Sequence, residues 1–146
     1  MSSLISEELR RQVAARADHL CEYCLIHEED GLLSFQVDHI MSRKHGGPTE
    51  LENLAFACAF CNRQKGSDLG TVVPGTRNLV RFFNPRSDAW AEHFRLVGGT
   101  IEPLSQIGEG TARVLGFNEP DRLLERELLS RIGRYPSIAA LARVRA

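Results

Sequence analysis

Asp38 and His39 stand side by side in VDHIMSRKHGG, residues 37–47. An acid followed directly by an imidazole, then by a basic stretch closed with two glycines, is not what an ordinary core strand needs. A carboxylate oxygen is a hard ligand suited to Mg²⁺ or Mn²⁺. A neutral imidazole beside such a cation can take a proton from water near neutral pH. Asn62 offers a second hard oxygen, from its amide. A base, a nucleophilic water and a cation beside the phosphate are what phosphodiester hydrolysis requires.

The cysteines speak for a different metal. All four fall in two C-x-x-C pairs, CEYC at Cys21 and Cys24 and CAFC at Cys58 and Cys61. Two matched knuckles are a common zinc spacing, and thiolates are soft ligands suited to a tetrahedral Zn²⁺. Two disulfides of an exported protein are the rival reading, and a redox pair is a weaker one because it leaves one knuckle unexplained. His27 lies three residues past Cys24 and competes as a ligand. A Cys₄ set is preferred, since CLIH would have to bend back sharply to offer a third ligand from one turn.

These residues need elements to hold them. With 146 residues, 42% hydrophobic and 25% charged, the chain fits one domain, or one domain with a packed extension. No apolar run approaches the roughly 20 residues of a membrane span. The opening MSSLISEELRRQ has acids and no apolar core of a signal peptide, so a cytoplasmic location is expected. A net charge of −1 gives no global pull toward nucleic acid, so any such attraction has to be local. Ser6 with Glu7 and Glu8 predicts a helix start, and Leu9, Val13, Ala17 and Leu20 continue it at helical spacing to about Asp18. Residues 32–37 predict a short strand ending at Asp38, residues 54–57 a second strand, and the stretch from Cys61 a helix opened by Asn62 and stopped near Gly66. The order is strand, long loop, strand, helix.

This arrangement resembles the zinc-knuckle branch of the HNH endonucleases. CEYC, then VDHIMSRKHGG, then ELENLAFACAFCNRQKG carry the resemblance, over residues 21–68. It implies a ββα-metal (His-Me finger) core within an α+β fold: a Cys₄ zinc site, an N-terminal helix, and a mixed α/β C-terminal extension. By that resemblance His39 is the general base, and Asp38 and Asn62 hold a catalytic divalent cation, Mg²⁺ or Mn²⁺. Asn53 is the middle Asn of the motif, whose amide braces the loop that orients the histidine. The structural zinc sits on Cys21, Cys24, Cys58 and Cys61. The implied reaction is endonucleolytic hydrolysis of DNA to 5′-phosphate and 3′-hydroxyl ends.

Each residue also has a plainer reading. His39 alone suits a satisfied core histidine, Asp38 a turn cap, Asn53 an Asx turn and Asn62 a helix N-cap. Arg43, Lys44 and His45 suit a solvated face; with Arg63 and Lys65 across the site they are expected to hold DNA phosphates. A zinc module without catalysis, binding nucleic acid or protein, is therefore the competing class. The expected division places the nuclease core with its knuckles at residues 1–70 and the packed extension at 71–146. In the extension, residues 69–79 look like a connector, Trp90 and Phe94 like core residues on a short capped helix, and Gly98–Gly99 like a hairpin turn. A last helix is expected after an Asn118 cap, with Leu124, Leu128 and Ile132 on one face.

Overall fold

The computed structural model describes residues 5–146. The first four residues of the stretch read above for a signal peptide lie outside the described residues. Helix α1 spans Glu7–Arg16, with the Ser6 hydroxyl accepting from the Leu9 amide at 3.1 Å. That hydroxyl satisfies one of the helix's unpaired first-turn N–H groups. The chain then leaves α1 through Asp18 and His19, both at positive φ, and delivers the first knuckle.

The strands β1 (Gln36–His39) and β2 (Leu54–Ala57) form an antiparallel pair in which Asp38 faces Ala55 and His39 faces Leu54. Helix α2 (Ala59–Lys65) follows directly. This ββα unit is the α+β core expected from the sequence, but two of its boundaries differ. Residues 32–35 are not in β1, and Leu32 is almost fully exposed. The partner strand ends at Ala57, opposite Gln36, and Cys58 already caps α2, so residues before 36 have no strand to pair with. Helix α2 opens at Ala59 rather than Asn62, because the Cys58 sulfur acts as its N-cap, accepting from the Cys61 amide. Asn62 therefore lies inside the helix, its own amide bonded to the Cys58 carbonyl at 2.9 Å.

Beyond the core come two hairpins, β3–β4 (Gly70–Val72, Leu79–Arg81) and β5–β6 (Phe94–Val97, Thr100–Pro103). With them are α3 (Trp90–His93), α4 (Gln106–Val114), α5 (Pro120–Arg131) and α6 (Ile138–Arg145). The connector expected over residues 69–79 is in fact the first of these hairpins. The second turns at Gly98–Gly99 as expected. Trp90 and Phe94 are buried, and the Trp90 indole N–H donates to the Tyr23 carbonyl at 2.9 Å. The extension thereby reaches into the first knuckle.

Two features of α5 depart from expectation. Its N-cap is Glu119, while the Asn118 side chain bonds both backbone groups of Ile101 on β6. The apolar face of Leu124, Leu128 and Ile132 points outward, and the helix buries Arg122 and Arg126 instead. Arg126 is tolerated there because its guanidinium donates to the carbonyls of Gly99 (2.6 Å) and Phe117 (2.5 Å), which offset the cost of burying a charge. Among the described residues, no helix is long and apolar enough to cross a membrane.

Candidate functional site

The four cysteines meet at the junction of the first knuckle, β2 and α2. Their sulfurs all lie within 4.8 Å of one another and all four residues are buried. A tetrahedron with metal–sulfur bonds of about 2.3 Å has S···S edges of about 3.8 Å, and the Cys24–Cys58 separation is 3.9 Å. Within each knuckle the second cysteine's amide donates to the first one's sulfur, Cys24 to Cys21 at 3.5 Å and Cys61 to Cys58 at 3.3 Å. Burial pushes the Cys21 and Cys61 thiols well up, while hydrogen bonds from the other cysteines hold Cys24 well down; a cation held by all four sulfurs would draw off the remaining protons. The donor set, spacing and burial suit zinc, and the cysteines are free thiols rather than disulfides. His27 is not in the cluster; its Nδ1 accepts from the Glu29 amide at 3.1 Å and caps a short turn.

The remaining knuckle residues are engaged too. Glu22 is buried, accepts from the Phe56 amide at 2.8 Å and pairs with Arg86 of the extension. The Tyr23 hydroxyl donates to Asp38 Oδ2 at 2.7 Å. A single four-residue turn thus ties the cysteine cluster, β2 and Asp38 together. Neither Tyr23 nor Glu22 was singled out in the sequence; the only signal available was their position inside a knuckle.

Asp38 is buried on β1. Besides Tyr23 it faces the Lys65 ammonium, 3.3 Å from Oδ1 and 3.2 Å from Oδ2, and that ammonium also donates to the His39 carbonyl at 3.0 Å. Burial raises the Asp38 carboxyl, against the opposing pull of Lys65 and Tyr23. Lys65 is only 1% exposed. This corrects the expectation that it contacts phosphate: its charge is already committed to Asp38 inside the protein, where a DNA backbone cannot reach it. Asn62 is half-buried three residues earlier, so it shares with Lys65 the helix face turned toward β1.

His39 is half-buried at the end of β1, with Nε2 2.9 Å from the Thr49 hydroxyl. Burial holds its imidazole below the ordinary histidine value; Asp38 opposes this, and the charges of Arg43 and Lys65 add to it. Thr49 belongs to the long loop, and Asn53 spans that loop. Its Oδ1 accepts from the Met41 amide at 2.9 Å, and its Nδ2 donates to the carbonyls of Met41 (2.9 Å) and Pro48 (2.8 Å). The two glycines have separate tasks. Gly46 sits at φ +90°, and a Cβ on Gly47 would come within 1.7 Å of the Met41 carbonyl oxygen. The loop closes tightly enough to bring Thr49 to His39 only because residue 47 has no side chain.

Arg43, Lys44 and His45 form an exposed 3₁₀ turn on the same loop. Arg63 is exposed on α2, its guanidinium 5.6 Å from the Phe60 ring, beside the groove that α5 lines. Adjacent helical residues point about 100° apart, so Arg63 does not share the Asn62–Lys65 face. Two arginines of the extension, Arg81 and Arg95, are paired with carboxylates, Asp88 at 2.7 Å and Glu102 at 2.5 Å.

Residues 21–68 match the family model described as HNH endonuclease. No curated protein and no solved structure matches the chain.

Proposed function

We propose that this protein, whose residues 21–68 match the HNH endonuclease family model, is an endonuclease that hydrolyses phosphodiester bonds of DNA. The observation that supports this reading best is the His39 site. A half-buried imidazole is held through one nitrogen by Thr49, on a loop fixed by three hydrogen bonds of the Asn53 amide. A histidine that served only to fill a core would not need its orientation set by a braced loop. With Nε2 engaged by Thr49, Nδ1 is the nitrogen left to accept a proton from the attacking water.

Asp38 and Asn62 would hold a divalent cation, Mg²⁺ or Mn²⁺, which supplies positive charge against the phosphate and a more acidic water. A carboxylate has about four lone-pair sites, so the bonds from Tyr23 and Lys65 leave acceptor capacity on Asp38. Lys65 and Tyr23 fix the direction in which that capacity points. Arg43, Lys44, His45 and Arg63 are the exposed groups proposed to meet the DNA backbone. The cysteine cluster carries a zinc that takes no part in the chemistry and holds the knuckle, and through Tyr23 the carboxylate, in place. The competing reading is a zinc module without catalysis that binds nucleic acid or protein. It draws on one observation, that Asp38 is already satisfied by protein donors.

Supercoiled plasmid, incubated with protein whose zinc content is verified, separates the two. Cleavage is expected with added Mg²⁺ or Mn²⁺, absent when EDTA is present, and restored when the cation is supplied in excess. A zinc-loaded protein that leaves the plasmid intact under all these conditions is a binding module.

The pH profile is a further test. His39 acts only as the neutral imidazole, and its folded-state pKa is held below the ordinary value of about 6.5. The midpoint of the fall in rate with falling pH is therefore expected below about 6.5, with saturating cation and chemistry limiting. Bound cation moves the midpoint lower still, because it disfavours imidazolium. A midpoint above 6.5, or a rate flat down to pH 5, would count against His39 as the base.

A further inference from the structure

A buried guanidinium is costly unless an anion or several acceptors compensate it. Arg122 of α5 is 5% exposed, yet its carboxylate neighbour Glu125 stands 3.8 Å from Nε, beyond hydrogen-bond range. Its Nη1 is buried without a hydrogen-bond partner. What the side chain does face is sulfur: Nη2 lies 3.7 Å from Cys58 Sγ and 3.7 Å from Cys61 Sγ. The guanidinium also lies 4.2 Å from the centre of the Phe60 ring, between those two cysteines in the sequence. Neutral thiols are weak acceptors and would leave this charge only the longer-range attraction of Glu125. Four thiolates around one doubly charged ion, in contrast, carry a net double negative charge inside the protein.

We propose that Arg122 is the counter-cation of the metallated cysteine cluster. Its charge and its N–H groups offset the excess negative charge on the sulfurs of Cys58 and Cys61 and so slow the loss of the ion. Groups that hydrogen-bond metal ligands typically alter metal affinity by 10–100-fold. The C-terminal extension is on this account part of the zinc site, although all four ligands lie in the HNH segment. The outward-facing leucines of α5 have the same cause, since the helix turns its arginine face to the cluster. The inference rests on the cluster holding zinc and not on nuclease activity.

The test uses the full-length protein and three variants, Arg122→Gln, Arg122→Lys and Arg126→Gln. Zinc per chain, melting temperature and the rate of zinc transfer to an excess of a chromogenic chelator are measured for each. Arg122→Gln is expected to release zinc roughly 10–100-fold faster than the parent, and Arg122→Lys, which keeps the charge, to recover most of that retention. Arg126 is fully buried on the same helix and likewise has a buried Nη1 without a partner, but its Nε and Nη2 donate to backbone carbonyls and it faces no cysteine sulfur within hydrogen-bond range. Arg126→Gln should therefore lower the melting temperature while the folded protein releases zinc at nearly the parent rate. Parental release from Arg122→Gln overturns the proposal, as does an equal acceleration in Arg126→Gln, which would trace the effect to loosened packing. If Arg122→Gln is not recovered folded, Arg122→Lys decides alone: a zinc-loaded chain supports the proposal and a zinc-free chain overturns it. A parent that binds no zinc overturns this proposal and the zinc reading of the cluster together, while plasmid cleavage by that parent tests the nuclease reading separately.

Discussion

His39→Ala is expected to cut plasmid cleavage by roughly 10²–10⁴-fold, the usual contribution of a positioned general base, with the fold and the zinc left in place. The side chain is half-buried and has one hydrogen bond, to Thr49. Losing a hydrogen bond of this kind costs about 1 kcal/mol, which for a chain of this size shifts the melting temperature by a few degrees. The Asn53 bonds that brace the loop do not involve the imidazole, so the loop should keep its shape. The separation between a large catalytic loss and a small stability loss identifies a residue that acts on substrate.

Cys61→Ser is expected to do the opposite and take the structure down with the metal. Structural zinc contributes on the order of 10 kcal/mol to folding in small zinc-binding peptides, and a domain's whole stability is about 5–15 kcal/mol. Cys61 is fully buried at the start of α2, one turn before the Lys65 that holds Asp38. Its loss also removes an acceptor of Arg122. The variant should purify without zinc, melt early or aggregate, and show no cleavage. A Cys61→Ser chain that folds with parental stability and keeps its zinc would mean that the cluster is not a Cys₄ site.

Residues whose chemistry shows in their type and spacing were legible in the sequence. The paired cysteines, the strand–loop–strand–helix order and the β5–β6 turn at Gly98–Gly99 all depend on local signals that the structure keeps. What was not legible depended on partners distant in sequence. Lys65 reads as one more cation in CNRQKG, and only the approach of β1 shows that its charge is spent on Asp38. The start of α2 was misplaced because cysteine is not among the usual N-cap residues, yet Cys58 fills that position through its sulfur. The hairpin over residues 70–81 was hidden by Pro74 and Gly75, which read as a connector and in fact make the turn between β3 and β4. Helix α5 shows the strongest inversion: amphipathicity predicts a buried leucine face, while the carbonyls of Gly99 and Phe117 and the thiols of Cys58 and Cys61 make the arginine face the buried one.

The most direct measurement pairs zinc stoichiometry with plasmid cleavage, in Mg²⁺, for the parent, His39→Ala and Cys61→Ser prepared side by side. The expected pattern is one zinc with cleavage for the parent, one zinc without appreciable cleavage for His39→Ala, and neither for Cys61→Ser. If His39→Ala keeps its zinc and cuts as well as the parent, then Asp38 to Gly47 is not an active site and the nuclease reading of this fold is wrong.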